Sequence, residues 1–293
     1  MGGRWVVIPG RPGSYASRAR TIAHMSEPSP LYLHGHHESV LRSHRWRTAE
    51  NSAAYLLPHL HPGLQVLDVG CGPGTITIDL AQRVAPGSVV GIDAAEVPLV
   101  TARAGAAAAE VSNVAFEVAD AMALPFPDAS FDVVHAHQVL QHVPDPVGAL
   151  REMARVCRPG GMLAARDSDY AAMTWHPAYP ALTDWLALYE QTARASGGEP
   201  DAGRRLLGWA HEAGLANVTA TASAWCFATD EDRAWWGGLW SERATKSTFA
   251  EQALAHGLAD QAGLERISDA WRRWSTEPDG WFAILHGEII CRP

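Results

Sequence analysis

Cysteine is scarce and scattered. Cys71, Cys157, Cys226 and Cys291 form no CxxC pair among 293 residues, which speaks against a zinc knuckle or a disulfide framework and fits a reducing, cytoplasmic setting. Positive charge is also short: 23 Lys and Arg against 32 Asp and Glu give a formal net charge of -9. No basic stripe is present that would hold a phosphate backbone, so nucleic acid is not an expected partner. No apolar run is long enough to suggest a membrane segment or a signal-peptide core, and the membrane is likewise not expected as a partner. Internal repeats and low-complexity segments are missing too. What remains is 47% hydrophobic and 19% charged residues, enough apolar material for a substantial core.

Residues 1–24 contain four arginines and no acid and read as a leader or extension, with Met25 as an alternative start. Residues 25–62 read as a helical segment: Val40, Leu41, Trp46, Ala49, Ala53, Leu56 and Leu57 recur near helical spacing up to Pro58. From there strands and helices alternate. Strands are predicted at Gln65–Val69, Ser88–Ile92, Val114–Val118, Phe131–His137 and Gly161–Arg166, with helices at Thr75–Val84, Val97–Ala109 and Val147–Cys157. That alternation predicts a parallel α/β sheet wound on both faces, a core over 63–170. Residues 171–293 carry ten of the twelve tryptophans. They read as helices at Ala181–Ala195 and Ala202–Ala213, strands at Val218–Ala228 and Trp281–Cys291, and a helical cap over 231–274.

The stretch VLDVGCGPGT, from Val66 to Thr75, turns a strand into a helix through Gly70, Gly72 and Gly74. Such a turn lets a ligand approach the backbone and the helix N-terminus closely. The dinucleotide fingerprint G-x-G-x-x-G would need glycine at 75, where this chain has Thr75, so a pyrophosphate is disfavoured. Asp68 beside the turn suits a cationic ligand, and either caps the turn's N–H groups or positions the ligand. Asp93 lies 19 residues after Gly74, where a carboxylate accepts from a ribose diol. Asp120 ends the third strand, placed to accept from an exocyclic amine, with Ala121 and Met122 as an apolar wall.

These residues resemble a known family, the class I S-adenosylmethionine-dependent methyltransferases, and in particular the ubiquinone/menaquinone-biosynthesis C-methyltransferases. VLDVGCGPGT, GIDAAE, VADAMALPFPDASFDVVHAHQVLQHVPDP and VCRPGGMLAARD carry the resemblance, in order, over residues 64–167. It implies a Rossmann-like seven-stranded sheet with an antiparallel last strand, and S-adenosyl-L-methionine as cofactor. It places Gly70, Cys71, Gly72 and Gly74 along the methionine moiety, Asp93 and Ala94 at the ribose, Asp120 and Ala121 at the adenine, and His137 and Gln138 beside the reactive methyl. Ala95 and Pro98 replace the Ser and Met that many relatives carry. No Asn-Pro-Pro-Tyr follows the fourth strand, which speaks against amide or nucleobase acceptors.

His137 and His142 are the candidate bases. Arg47 is the candidate partner of the cofactor carboxylate, with Trp46 beside it. His34, His36, His37 and His44 complete no recognised ligand set, so no metal is expected. The cap tryptophans either fill a core or wall an aromatic site. The expected activity is methyl transfer to an oxygen or carbon of a small hydrophobic or aromatic acceptor, by a chain compatible with a homodimer. A non-catalytic S-adenosylmethionine binder and a nicotinamide oxidoreductase are the alternatives.

Overall fold

A computed structural model describes residues 43–293; the expectations for 1–24 and for His34, His36 and His37 lie outside the described residues. Five parallel strands make the first part of the sheet: β1 (Gln65–Val69), β2 (Ser88–Asp93), β3 (Val114–Val118), β4 (Phe131–His137) and β5 (Cys157–Ser168), in the order β3-β2-β1-β4-β5. β1, β2 and β4 are built around runs of β-branched and apolar residues, as strands buried on both faces require, whereas the edge strand β3 buries only Phe116. The chain returns between them through α2 (Thr75–Val84), α3 (Glu96–Ala108) and α4 (Pro146–Val156), while α1 (Ala49–Ser52) precedes the sheet. Strand order reverses between β1 and β4, opening a crevice at their carboxyl ends where open α/β sheets bind ligands.

β5 starts four residues earlier than expected. Phe131 pairs with Cys157 but Val133 with Met162, so the Arg158–Gly161 stretch bulges out of the ladder. β8 (Trp281–Cys291) runs antiparallel to β5 on one edge and to β7 (Thr219–Phe227) on the other. An eighth strand, the three-residue β6 (Thr174–His176), pairs with the start of β8 beyond the end of β5.

Helices cover both faces. Val66, Val133, Met162 and Ala164 pack under α2 and the Ala49–Leu56 stretch, whereas Leu67, Val134, Leu163 and Ile289 pack under α4 and α6 (Ala202–Glu212). The cap expected as one insertion is three helices, α7 (Asp230–Lys246), α8 (Thr248–Ala255) and α9 (Gln261–Trp274), which pack with α5 (Pro180–Ala195) around a separate core. Thr229 and Asp260 cap the first and third of these helices with their side chains. Trp185, Trp240, Trp271 and Trp274 are fully buried there, so most cap tryptophans are core.

Candidate active site

The turn after β1 puts Gly70, Gly72 and Gly74 at φ of 69°, 54° and 78°, a region that strongly favours glycine. Their surroundings differ. A Cβ on Gly70 would lie 2.3 Å from Val139 Cγ2, and one on Gly74 would lie 2.7 Å from Ala102 and 2.9 Å from Phe116, so these two glycines permit packing of the protein against itself. A Cβ on Gly72 would meet only His44 Nδ1, at 3.9 Å. Among the described residues, Gly72 alone of the three borders open space. Its N–H donates to Asp93 Oδ2 (3.0 Å), and Asp93 Oδ1 accepts from Ala95 N–H (3.0 Å). The end of β2 is thereby tied to the turn, with Ala94 exposed between them. Burial, with Asp68 and Asp93 nearby, pushes the Cys71 thiol well above its ordinary range.

Asp68 is the residue expected to cap the turn's N–H groups or to position the ligand, and its hydrogen bonds run to other side chains. Its side chain points into the interior, where Oδ2 accepts from Thr77 Oγ1 (2.6 Å) and Oδ1 lies 2.8 Å from His135 Nδ1. Strand alternation is the reason, since Asp68 stands opposite His135 in the β1–β4 register and shares its face. Asp120 is exposed and accepts from Met122 N–H (2.9 Å), and Ala121 is half-buried beside it.

Gln138 follows β4 at φ 54°, a left-handed conformation for a residue other than glycine, held by its N–H to Arg166 O (2.7 Å). Arg47 Nη2 donates to Gln138 Oε1 (2.5 Å), so the amide nitrogen must face His286 Nε2 at 2.9 Å. His286 Nδ1 in turn lies 3.2 Å from Ile284 O. His286 is therefore neutral, with its proton on Nδ1; burial and the nearby Arg166 and Arg47 hold it there. His137 is 5% exposed, and burial beside Arg47 and Arg166 lowers its affinity for a proton as well.

A cavity opens where Arg47 and Gln138 meet the cap; the structure does not place His137 among its lining residues. Gln138, Arg47 and His44 line it on one side, and Trp225, Trp235, Trp236, Trp240 and Tyr170 on the other. Trp46 joins that wall and packs 5.2 Å from Trp225 and 5.3 Å from Trp235. The structure does not bring His142 to this cavity. It lines a second one with Tyr189, Ala193 and Pro200, its Nε2 lies 2.8 Å from the Gln141 amide nitrogen, and burial lowers its pKa to about 3. The buried partners His135, Arg166, Glu288 and His286 are absent from the expected set, since only strand register reveals them.

The glycine turn lies at the carboxyl end of a Rossmann-like sheet, with acidic residues ending β2 and following β3 and an aromatic cavity beside β4. A family model described as a methyltransferase domain matches residues 60–237, and the chain belongs to this family of S-adenosylmethionine-dependent methyltransferases. It is 35% identical to an uncharacterized methyltransferase of Schizosaccharomyces pombe over 280 residues, 92% of this chain and 99% of that one. It is 47% identical over 115 residues to the 27-O-demethylrifamycin SV methyltransferase of Amycolatopsis mediterranei, covering 39% of this chain and 42% of that one. Among solved structures, YcgJ from Bacillus subtilis shares the fold with a TM-score of 0.54 at 20% identity, over 82% of this chain and 98% of that one. S-adenosylmethionine is the cofactor, and the open side of Gly72 is a cradle that fits it.

Proposed function

We propose that this enzyme methylates an oxygen or an activated carbon of a small apolar or aromatic molecule. The observation that carries the reading is the tryptophan-walled cavity ending at Gln138. When bound, S-adenosylmethionine supplies an electrophilic methyl, for which alignment and exclusion of water provide much of the rate. Gly72 cradles its methionine part with Gly70, Cys71 and Gly74 shaping the turn, and Arg47 pairs with its carboxylate. Asp93, with Ala94, takes the ribose diol: a carboxylate has about four acceptor sites, so its two backbone contacts are compatible with a diol donating as well. Asp120 and Ala121 receive the adenine. Gln138 fixes the edge of the acceptor site; neither His137 nor His142 lines that cavity, so alignment rather than a histidine base carries the reading.

A reducing, cytoplasmic setting belongs to this reading and suits the four free cysteines. Among the described residues no helix is long and apolar enough to cross a membrane. The test is a panel of phenols, quinols and aliphatic alcohols incubated with deuteromethyl-labelled cofactor, with products read by mass. Labelled ether or C-methyl products support the reading. Labelling confined to amines or thiols would overturn it.

A further inference from the structure

The aromatic cavity beside Gln138 carries more charge than an apolar acceptor needs. Two arginines line it, Arg47 from the amino-terminal segment and Arg243 from α7 of the cap, and no Asp or Glu is among the described residues that do so. The chain as a whole has a formal net charge of -9, so this lining runs against the balance of the molecule. In the reading above Arg47 pairs with the cofactor carboxylate. Arg243 has no part in that reading.

Arg243 is built into the wall. It is 4% exposed, its Cζ lies 5.3 Å from the centre of the Trp240 ring, and its Nη2 donates to Ser43 Oγ (2.5 Å). Stacking on the indole and a bond to a neutral hydroxyl hold the guanidinium plane in place, and neither contact cancels its charge. Burial raises the pKa of Tyr170, another lining residue, to about 12, while Tyr189, Arg243 and Arg47 pull against that rise. Both guanidinium groups therefore act on the same side of the cavity.

A guanidinium taken out of water is costly, and a neutral acceptor pressed against it would not offset that cost. A planar anion would. One guanidinium fork matches the two oxygens of a carboxylate through parallel N–H···O bonds, whereas the three oxygens and larger charge of a phosphoryl group call for more donors. We propose that the acceptor is an aromatic carboxylate, held through its acid group by Arg243 and through its ring by the tryptophan walls. The inference rests on the reading of this cavity as the acceptor site. Arg243 is then a specificity residue, and methyl transfer itself is left to alignment at Gln138.

The competing role for Arg243 is mechanical. Through Ser43 it ties the cap to the segment that precedes α1, and a tether of that kind would stabilise the fold. A tether does not distinguish an acid from its ester. A specificity residue does, and the two roles separate on that difference.

Calorimetry on the full chain saturated with S-adenosylhomocysteine tests the charge alone. The probes are 6-hydroxy-2-naphthoate and 4-hydroxycinnamate, each compared with its own methyl ester at neutral pH. Each acid should bind about tenfold more tightly than its ester, the low end for hydrogen bonds to a charged group. Esters that bind as tightly as the acids would overturn the proposal, and that comparison needs no variant. Arg243→Gln should bring the acid down to the level of the ester, Arg243→Lys should keep part of the difference, and S-adenosylhomocysteine should bind both variants as it binds the parent. An acid preference that survives Arg243→Gln, in a protein folded by circular dichroism, would leave Arg243 a tether and refute the proposal. Added to the labelling panel above, acids and esters that gave ether or C-methyl products equally well would keep the oxygen-or-carbon reading and remove this inference, so the two fail separately.

Discussion

Gly70, Gly72 and Gly74 share a left-handed backbone, but only Gly72 faces space that a ligand can use. Gly70→Ala and Gly74→Ala should lower the melting temperature, because each new Cβ strikes a packed side chain. Gly72→Val should leave a folded protein, by circular dichroism, that no longer binds S-adenosylhomocysteine in calorimetry. Normal binding by that variant would misplace the cradle. Asp93→Ala should weaken the same binding by about 1.5–3 kcal/mol, the range for hydrogen bonds to a charged group; an unchanged Kd removes Asp93 from the site. Asp167 provides a pH signature. Its Oδ1 accepts from Gln141 N–H, and burial raises its pKa from the ordinary 3.8 to about 7. The folded state then binds this proton more tightly than the unfolded chain, so the group's contribution to stability is complete below pH 3.8, drains away as pH rises and is gone above about 7. Asp167→Asn, which keeps the acceptor oxygen, should gain stability relative to the parent across that interval and hold the gain at higher pH. A stability difference that is flat from pH 4 to 8 would refute this. The glycine turn and Asp93 were legible in the sequence because local spacing carries them. The inward turn of Asp68 was not, because its partner His135 lies 67 residues away.

Strand pairing explains what the sequence left hidden at the next scale. The limits of β1, β3, β4 and β8 follow from apolar runs between turn residues, and the structure keeps them. Register, however, is set by which edges meet, and it is register that lines up His137, Arg166, Glu288 and Thr221 across β4, β5, β8 and β7. Arg166 and Glu288 are 1% and 5% exposed, and the glutamate also accepts from Ser223 and Thr221. Breaking a buried pair by removing one partner strands the other charge, at about 3–5 kcal/mol. Glu288→Ala should therefore lose that much in urea unfolding. The double variant Arg166→Met with Glu288→Leu should be more stable than Glu288→Ala, because no charge is left behind. A double variant weaker than the single one would mean that the pair contributes through something other than charge compensation. β6 escaped sequence reading because three residues carry no period. The breaks in the cap were written in the sequence, as Ser247 before α8 and Gly257 with Asp260 before α9, but they are short and lie between segments that are all helical.

At the scale of the whole molecule, the cap is joined to the sheet through shared core rather than laid over it as a detachable lid. Trp240, Trp271 and Trp274 pack with Trp185 of α5 and Phe282 of β8, so deleting 231–274 would expose that core instead of merely opening the acceptor site. Point substitutions separate the two roles. Trp235 is half-buried, lines the cavity and touches Trp46 and Phe227, whereas Trp271 is fully buried away from the cavity and contacts Trp185, Trp274 and Phe282. Trp271→Ala removes a buried aromatic, which costs about 3–5 kcal/mol in comparable cores, and should lower thermal stability sharply. Trp235→Ala removes an exposed-edge wall and should cost far less in stability. If the cavity holds the acceptor, Trp235→Ala should instead raise KM for the methylated compound several-fold while S-adenosylhomocysteine binds as before, because the glycine turn, Asp93 and Asp120 are not among the residues that line it. Equal losses of cofactor and acceptor binding would place the cap over the nucleoside, and the acceptor would then have to enter through the second cavity, beside His142.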